Sequence, residues 1–122
     1  MANITPVPAD PLTTRDTVVL WETHTTTNRP GTAVTLSGVV VDLIAFAKGT
    51  FGASATITMQ GSIDGGTTWF TLKDPNDADA TLTAAGAVVL RDKPLLIRPN
   101  LTSGDGSTDV DVYLQVTRSG NL

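Results

Sequence analysis

Along residues 54–62, SATITMQGS, apolar and polar side chains alternate: Ala55, Ile57 and Met59 against Thr56, Thr58 and Gln60. A two-residue period marks a half-buried β-strand. The same period runs through DVDVYLQVTR, residues 109–118. There Val110, Val112, Leu114 and Val116 form a core side, and Asp109, Asp111, Tyr113 and Gln115 an outer side. In DTVVLWET, residues 16–23, Val18, Leu20 and Glu22 point one way and Val19 and Trp21 the other. In SGVVVDLIAFAKG, residues 37–49, Val39, Val41, Leu43 and Ala45 share one side, and Val40, Asp42, Ile44 and Phe46 the other. A strand apolar on both sides is expected to sit centrally or against a partner.

Shorter segments fill the intervals. TAVTL, residues 32–36, follows the NRPG turn; WFTL returns from a turn at residues 62–69; ATLTA and AVVL are expected to pair with each other around residues 84–86. PLLIRPNL, residues 94–101, is bounded by prolines and reads as an edge strand. Eight or nine short strands with turn signals between them, and no helical period, predict an all-β chain: an antiparallel β-sandwich, jelly-roll-like. Residues 15–122 form a single domain in this reading. Residues 1–14, with Pro6, Pro8 and Pro11, read as an extended N-terminal arm, in which Ile4 and Val7 give it something to bury.

Composition narrows the function classes. The chain of 122 residues has no cysteine, one histidine (His24) and one glutamate (Glu22). A disulfide framework and a thiolate metal site are excluded, and a His-rich zinc site or a Ser-His-Asp relay has little to be built from. The net charge is −4 and the cations are scattered. Without a basic stripe, nucleic acid is not an expected partner. The N-terminus lacks the charged and apolar regions of a signal peptide, and no apolar run reaches membrane-spanning length, so the expectation is a protein made in a cytoplasm with no membrane partner.

The most specific stretch is SIDGGTTW, residues 62–69. An aspartate in a tight turn accepts the backbone N–H groups that follow it, glycines supply positive φ where the chain reverses, and hydroxyls bond across the neck. Ser62, Asp64, Gly65, Gly66, Thr68 and Trp69 are therefore expected to build a hairpin, with Trp69 as its anchor. The spelling resembles the Asp-box, the hairpin motif named from sialidases, in which it repeats once per propeller blade and lies away from the chemistry. Here it occurs once, and the arginine trio and tyrosine–glutamate pair of sialidase chemistry have no counterparts, since the chain has one tyrosine and one glutamate.

A broader resemblance covers residues 38–118. ATITMQGSIDGGTTWFTL, then a loop, then LLIRPNLTSGDGSTDVDVYLQVTR is similar to small β-sandwich virion proteins of tailed bacteriophages. The resemblance implies a head decoration (cement) protein that oligomerises and binds the major capsid protein on the outer surface of a head. A cyclic homo-oligomer, a trimer as first choice, would match lattice symmetry. Ile4, Val7, Pro8 and Trp21 are the expected capsid or subunit contacts. The alternative is a carbohydrate- or receptor-binding module of a tail or fibre, using the loops at residues 61–68, 73–80 and 102–108.

The remaining candidates are set aside on their chemistry. Asp74, Asp77 and Asp79 in DPNDADA lack the spacing and the closing glutamate of a calcium loop. Asp105 in SGDGSTD is placed similarly, and Asp109 with Asp111 reads as a solvated strand face rather than a catalytic pair. Glu22 and His24 have no nucleophile in view. No catalytic, cofactor or metal residue is assigned, and the expected protein is not an enzyme.

Overall fold

The computed structural model describes Val7, Pro8 and residues 16–119. Ten strands follow in chain order: β1 (Val7–Pro8), β2 (Asp16–His24), β3 (Val34–Thr35), β4 (Val40–Thr50), β5 (Thr56–Ser62), β6 (Phe70–Thr71), β7 (Thr81–Leu82), β8 (Gly86–Leu90), β9 (Leu96–Ser103) and β10 (Asp109–Arg118). No helix occurs among the described residues.

The strands form two antiparallel sheets, ordered β1-β2-β10-β4-β8 and β3-β9-β5-β6, with β7 also paired to β5. From β2 to β5 the chain changes sheet at each strand, and β10 returns to lie between β2 and β4. This is the jelly-roll-like β-sandwich the periodicity predicts. Between the sheets lie Leu43, Ala45 and Ala47 from β4, Ile57 and Met59 from β5, Leu90, Ile97 and Leu101, and Val110, Val112, Leu114 and Val116 from β10, all buried. The inner and outer sides of β5 and β10 fall where their alternation puts them.

Three local expectations are corrected. β9 is an interior strand, between β3 and β5, not an edge. Pro99 is tolerated there because the side lacking an N–H faces the irregular segment at residues 29–31, where Gly31 N–H donates to the Pro99 carbonyl at 2.9 Å. β7 and β8 do not pair with each other: β7 joins β5 in one sheet and β8 joins β4 in the other. In β4 the side assignment holds only from Leu43 onward. A register shift where β10 passes from Thr117 to Arg118 resets the alternation, so Val40 packs on the core while Val39 and Val41 are exposed.

Trp21, expected at a contact surface, is instead 0% exposed in the core. Its indole Nε1–H donates to the Thr32 carbonyl at 2.9 Å, which satisfies the ring's one polar group inside the protein. Ile4 lies outside the described residues. Of the arm, Val7 and Pro8 form β1, which pairs with the chain's own β2 through Val7–Leu20 and Pro8–Val19.

The wall around Trp21 leaves no spare volume. A methyl group at Gly31 would lie 2.6 Å from Trp21 Cδ1 and 2.9 Å from Pro99 Cδ. Gly31→Ala is therefore expected to destabilise the fold by about 1–3 kcal/mol through overpacking. Equilibrium urea unfolding measures it, and an unchanged midpoint would show that the wall yields freely.

Candidate functional site

The SIDGGTTW hairpin joins β5 to β6 and is held from inside. Ser62 is buried. Its hydroxyl donates to Asp64 Oδ1 at 2.8 Å and accepts the Gly66 N–H at 2.9 Å. Asp64 Oδ1 also accepts the N–H groups of Thr67 and Thr68, at 3.1 and 2.9 Å. Gly65 and Gly66 take φ of 80° and 93°, in the left-handed region that β-carbons disfavour. The indole of Trp69 donates to the Gly66 carbonyl at 3.0 Å and closes the loop. Asp64 and the glycines take the turn geometry anticipated for them, while Trp69, expected to anchor the turn by burying its indole, is only half-buried. Ser62 bonds within the turn instead of reaching Thr68 across the neck, because Asp64 and Gly66 are nearer partners.

Trp69 is half-buried, and one ring face is covered by the Arg98 guanidinium, 4.0 Å from the ring centroid. Arg98 is in turn held by Gln60, with Nε donating to Oε1 at 2.9 Å. This cation–π contact ties the hairpin to β9. Sequence reasoning missed it; the only trace was the register that sets Gln60 beside Arg98.

Two other loops use the same device. Asp105 accepts the Ala53 N–H at 2.8 Å and the Ser107 N–H and hydroxyl at 2.9 and 2.7 Å. It thereby joins the β4–β5 loop to the β9–β10 loop. Asp74 Oδ1 accepts the Asn76 and Ala78 N–H groups at 2.8 and 3.0 Å. In the same loop Asp79 pairs with Lys73 and Asp77 with Arg91. These carboxylates already have donors or cations of their own. Among the described residues no group of three or more His, Asp or Glu side chains is placed to hold a metal.

His24 is buried, with Nδ1 3.1 Å from the Val110 carbonyl. Its Nε2 has no partner among the described residues. Glu22, two residues away, is exposed, so the two do not meet. Asp111 Oδ1 accepts the Thr23 N–H at 2.9 Å, while Asp109 points to solvent. A shallow cleft of about 290 Å³ lined by Leu36, Gly38, Val40, Lys93, Pro94 and Leu95 offers one cation and no converging polar groups. Among the described residues these side chains hold turns and the core together.

Among the described residues nothing covers the outer face of the β1-β2-β10-β4-β8 sheet. Leu20, Tyr113, Phe46 and Ala87 lie directly opposite one another across four strands, and Val18, Gln115, Ile44 and Val89 form the next row. Phe46 is 40% and Val89 44% exposed. The Phe46 and Tyr113 rings sit 5.8 Å apart. The run apolar on both sides of β4 was the sequence signal for this face.

Comparison of the chain with protein-family models, curated proteins and solved structures found no match in any of the three. No helix among the described residues is long and apolar enough to cross a membrane. The class defined here is a jelly-roll-like β-sandwich with carboxylate-stapled loops and one uncovered apolar sheet face.

Two predictions follow from the loop chemistry. Ser62→Ala leaves the half-buried Gly66 N–H and the Asp64 carboxylate without the Ser62 hydroxyl and should cost about 1–3 kcal/mol in chemical unfolding. The second concerns acid. Asp64 is lowered from 3.8 to about 2, chiefly by the Thr68 N–H and then the Ser62 hydroxyl. Asp105 is lowered from 3.8 to about 2, chiefly by the Ala53 N–H and then by Ser107. Burial lowers His24 below its ordinary 6.5, against opposing effects of the Val110 carbonyl and Asp111. All three bind protons more readily when unfolded, so each contributes stability that is lost with acid. The His24 share is complete above 6.5 and falls below it; the aspartate share is complete above 3.8 and is lost as the pH falls through about 2. Melting temperature against pH should drop in these two separate windows, and His24→Gln should remove the upper one alone.

Proposed function

We propose that this chain is a structural virion protein, a decoration (cement) protein that self-associates and binds the outer surface of a phage head. The observation that carries the reading is the largely apolar outer face of the larger sheet, which nothing among the described residues covers. An apolar sheet face this continuous is the mark of a protein that works by contact. The similarity of residues 38–118 to phage β-sandwich virion proteins supplies the setting. No catalysis is involved. Each bound copy bridges neighbouring capsid subunits, so opening the lattice must also break its contacts, and mass action over many sites holds the shell closed. The N-terminal arm, residues 1–14, would reach a neighbouring subunit; of it the structure describes Val7 and Pro8, paired to β2.

A second reading, receptor or glycan binding at a tail, is favoured by one observation. Ile63 stands 76% exposed at the tip of the rigid Asp64 hairpin, as a contact residue on a presented loop does.

Quantitative mass spectrometry of purified particles separates the two. A decoration protein is expected at on the order of hundreds of copies per particle, as repetition over an icosahedral lattice requires. A few copies would transfer the chain to the tail, and absence from particles would remove both roles. Deleting residues 2–13 is expected to keep the sandwich folded, since β1 adds only a two-residue pairing, and to weaken head attachment. A deletion variant that attaches as well as the full chain would take the arm out of the contact.

A further inference from the structure

Two buried acceptors lack donors among the described residues, His24 Nε2 and Asn28 Oδ1. One precedes and the other closes the turn at residues 25–28. The Val110 carbonyl can only accept, so the His24 nitrogen beside it, Nδ1 at 3.1 Å, carries the ring proton. Nε2 is then a bare lone pair on a residue that is 0% exposed. A second proton has only Nε2 to go to, and there it makes a charged donor without a partner. A buried, unpaired charge is among the costliest states a core can hold.

The neighbouring charges do not relieve it. On β10, Asp111 favours the proton, but burial opposes it more strongly. Asp111 Oδ1 also accepts the Thr23 N–H at 2.9 Å, and Asp109 is exposed. Lys48 of β4 lies opposite Asp111. In the loop after β2, the Arg29 guanidinium is bonded to the Thr26 and Leu101 carbonyls. On β9, Arg98 is held on Trp69, and on β2 itself Glu22 is exposed.

The backbone around His24 is already irregular. Between the pairs Trp21–Val112 and His24–Val110, β2 sets Glu22 and Thr23 against the single Asp111, which makes a bulge. Thr23 takes φ of 66°, a left-handed conformation that a β-branched residue keeps only where its surroundings hold it. Two side chains do so: Asp111 accepts its N–H, and Asn28 Nδ2 donates to its carbonyl at 3.3 Å. Residues 25–29 lie outside the ten strands. They are joined to β9 by the Leu101 N–H, which donates to the Arg29 carbonyl at 3.0 Å, and by the Arg29 side chain on the Leu101 carbonyl. Lifting this segment breaks few bonds and brings water to the imidazole, whereas unfolding the sandwich breaks both sheets. Local opening is therefore the cheaper way to hydrate a charged His24.

We propose that residues 23–29 form an acid-operated flap. A proton on His24 Nε2 drives the imidazole out of the core, the bulge opposite Asp111 lets go, and the turn lifts from β9 while the two sheets stay closed. Gly31, packed on Trp21 with no room to spare, is the fixed end. The flap needs neither a capsid nor a second copy.

Amide exchange of the full chain, followed by NMR from about pH 7.5 to about pH 5 and corrected for intrinsic rates, tests it. With the flap open, His24 titrates at its ordinary 6.5; with it closed, burial holds it lower. The open fraction should be flat above 6.5 and grow by about tenfold per pH unit below it. Protection at Thr23 and Leu101, whose N–H groups bond across the flap boundary, should fall by that factor, while Gly31, Met59 and Leu72 keep theirs. His24 is the one histidine, so its ring resonances report its own protonation alongside. His24→Gln should flatten the profile whatever its baseline protection. Flat protection at Thr23 and Leu101 overturns the flap, whether or not His24 titrates. A slope shared by Met59 and Leu72 overturns it too, since that is global unfolding. A slope that persists in His24→Gln moves the trigger to another group and overturns His24's part. The first two outcomes are read on the wild type alone and do not depend on how the variant folds.

Discussion

The insertion of β10 between β2 and β4 is the constraint on which the rest depends. The last strand of the chain pairs with the second and the fourth, from Asp109–Thr50 at one end to Arg118–Val40 at the other. Without it β2 has only the two-residue β1 at its side, and β4 only the five-residue β8. The inner side of β10 closes the core with Val110, Val112, Leu114 and Val116. Its outer side places Tyr113 and Gln115 between the apolar residues of β2 and β4. Core and outer face are thus two sides of one ladder, and a register slip by one residue would exchange them. Such pairing between distant segments also makes the fold late to close, since loop entropy must be overcome before any of these contacts form.

The loops depend on a second, local rule. Acidic side chains are nearly all aspartate, with Glu22 the one glutamate. Asp64, Asp74 and Asp105 show why: a short carboxylate reaches the N–H groups two to four residues ahead, where a longer one would have to fold back. These side chains hold the connections that the sheets leave unpaired. A carboxylate held by several donors resists protonation, so the same bonds that fix the loops keep Asp64 and Asp105 charged well into acid. Function read from acidic clusters alone would have mistaken this scaffolding for a metal site.

Much of this was legible in the residues. β5 and β10 alternate without interruption, and their sides follow directly. The SIDGGTTW turn is local, so its spelling carries its own geometry. What escaped the sequence was set by partners far along the chain. Pro99 reads as an edge signal until the strand's other neighbour, the segment at residues 29–31, is known to ask for no donor there. ATLTA and AVVL look like a hairpin because they are adjacent, yet each finds a longer strand in a different sheet. Trp21 reads as a contact candidate, and only the fold reveals that it is buried and that Thr32 supplies its acceptor inside. Arg98 on Trp69 depends on the β5–β9 register, which no local pattern encodes.

The outer face shows how a contact surface is told from a tolerated hydrophobic residue. Scattered apolar side chains on a surface are ordinary, and Ile63 or Leu95 alone would carry little. The face differs in order. Its apolar positions fall in two adjacent rows across four strands, broken only by Gln115 in the second, and aligned by register rather than by proximity in sequence. On β4, the longest strand, charge appears only beyond those rows, one sign at each end. Solubility alone would be served as well by a lysine or aspartate in the middle of the strand, where it would also guard against unwanted association.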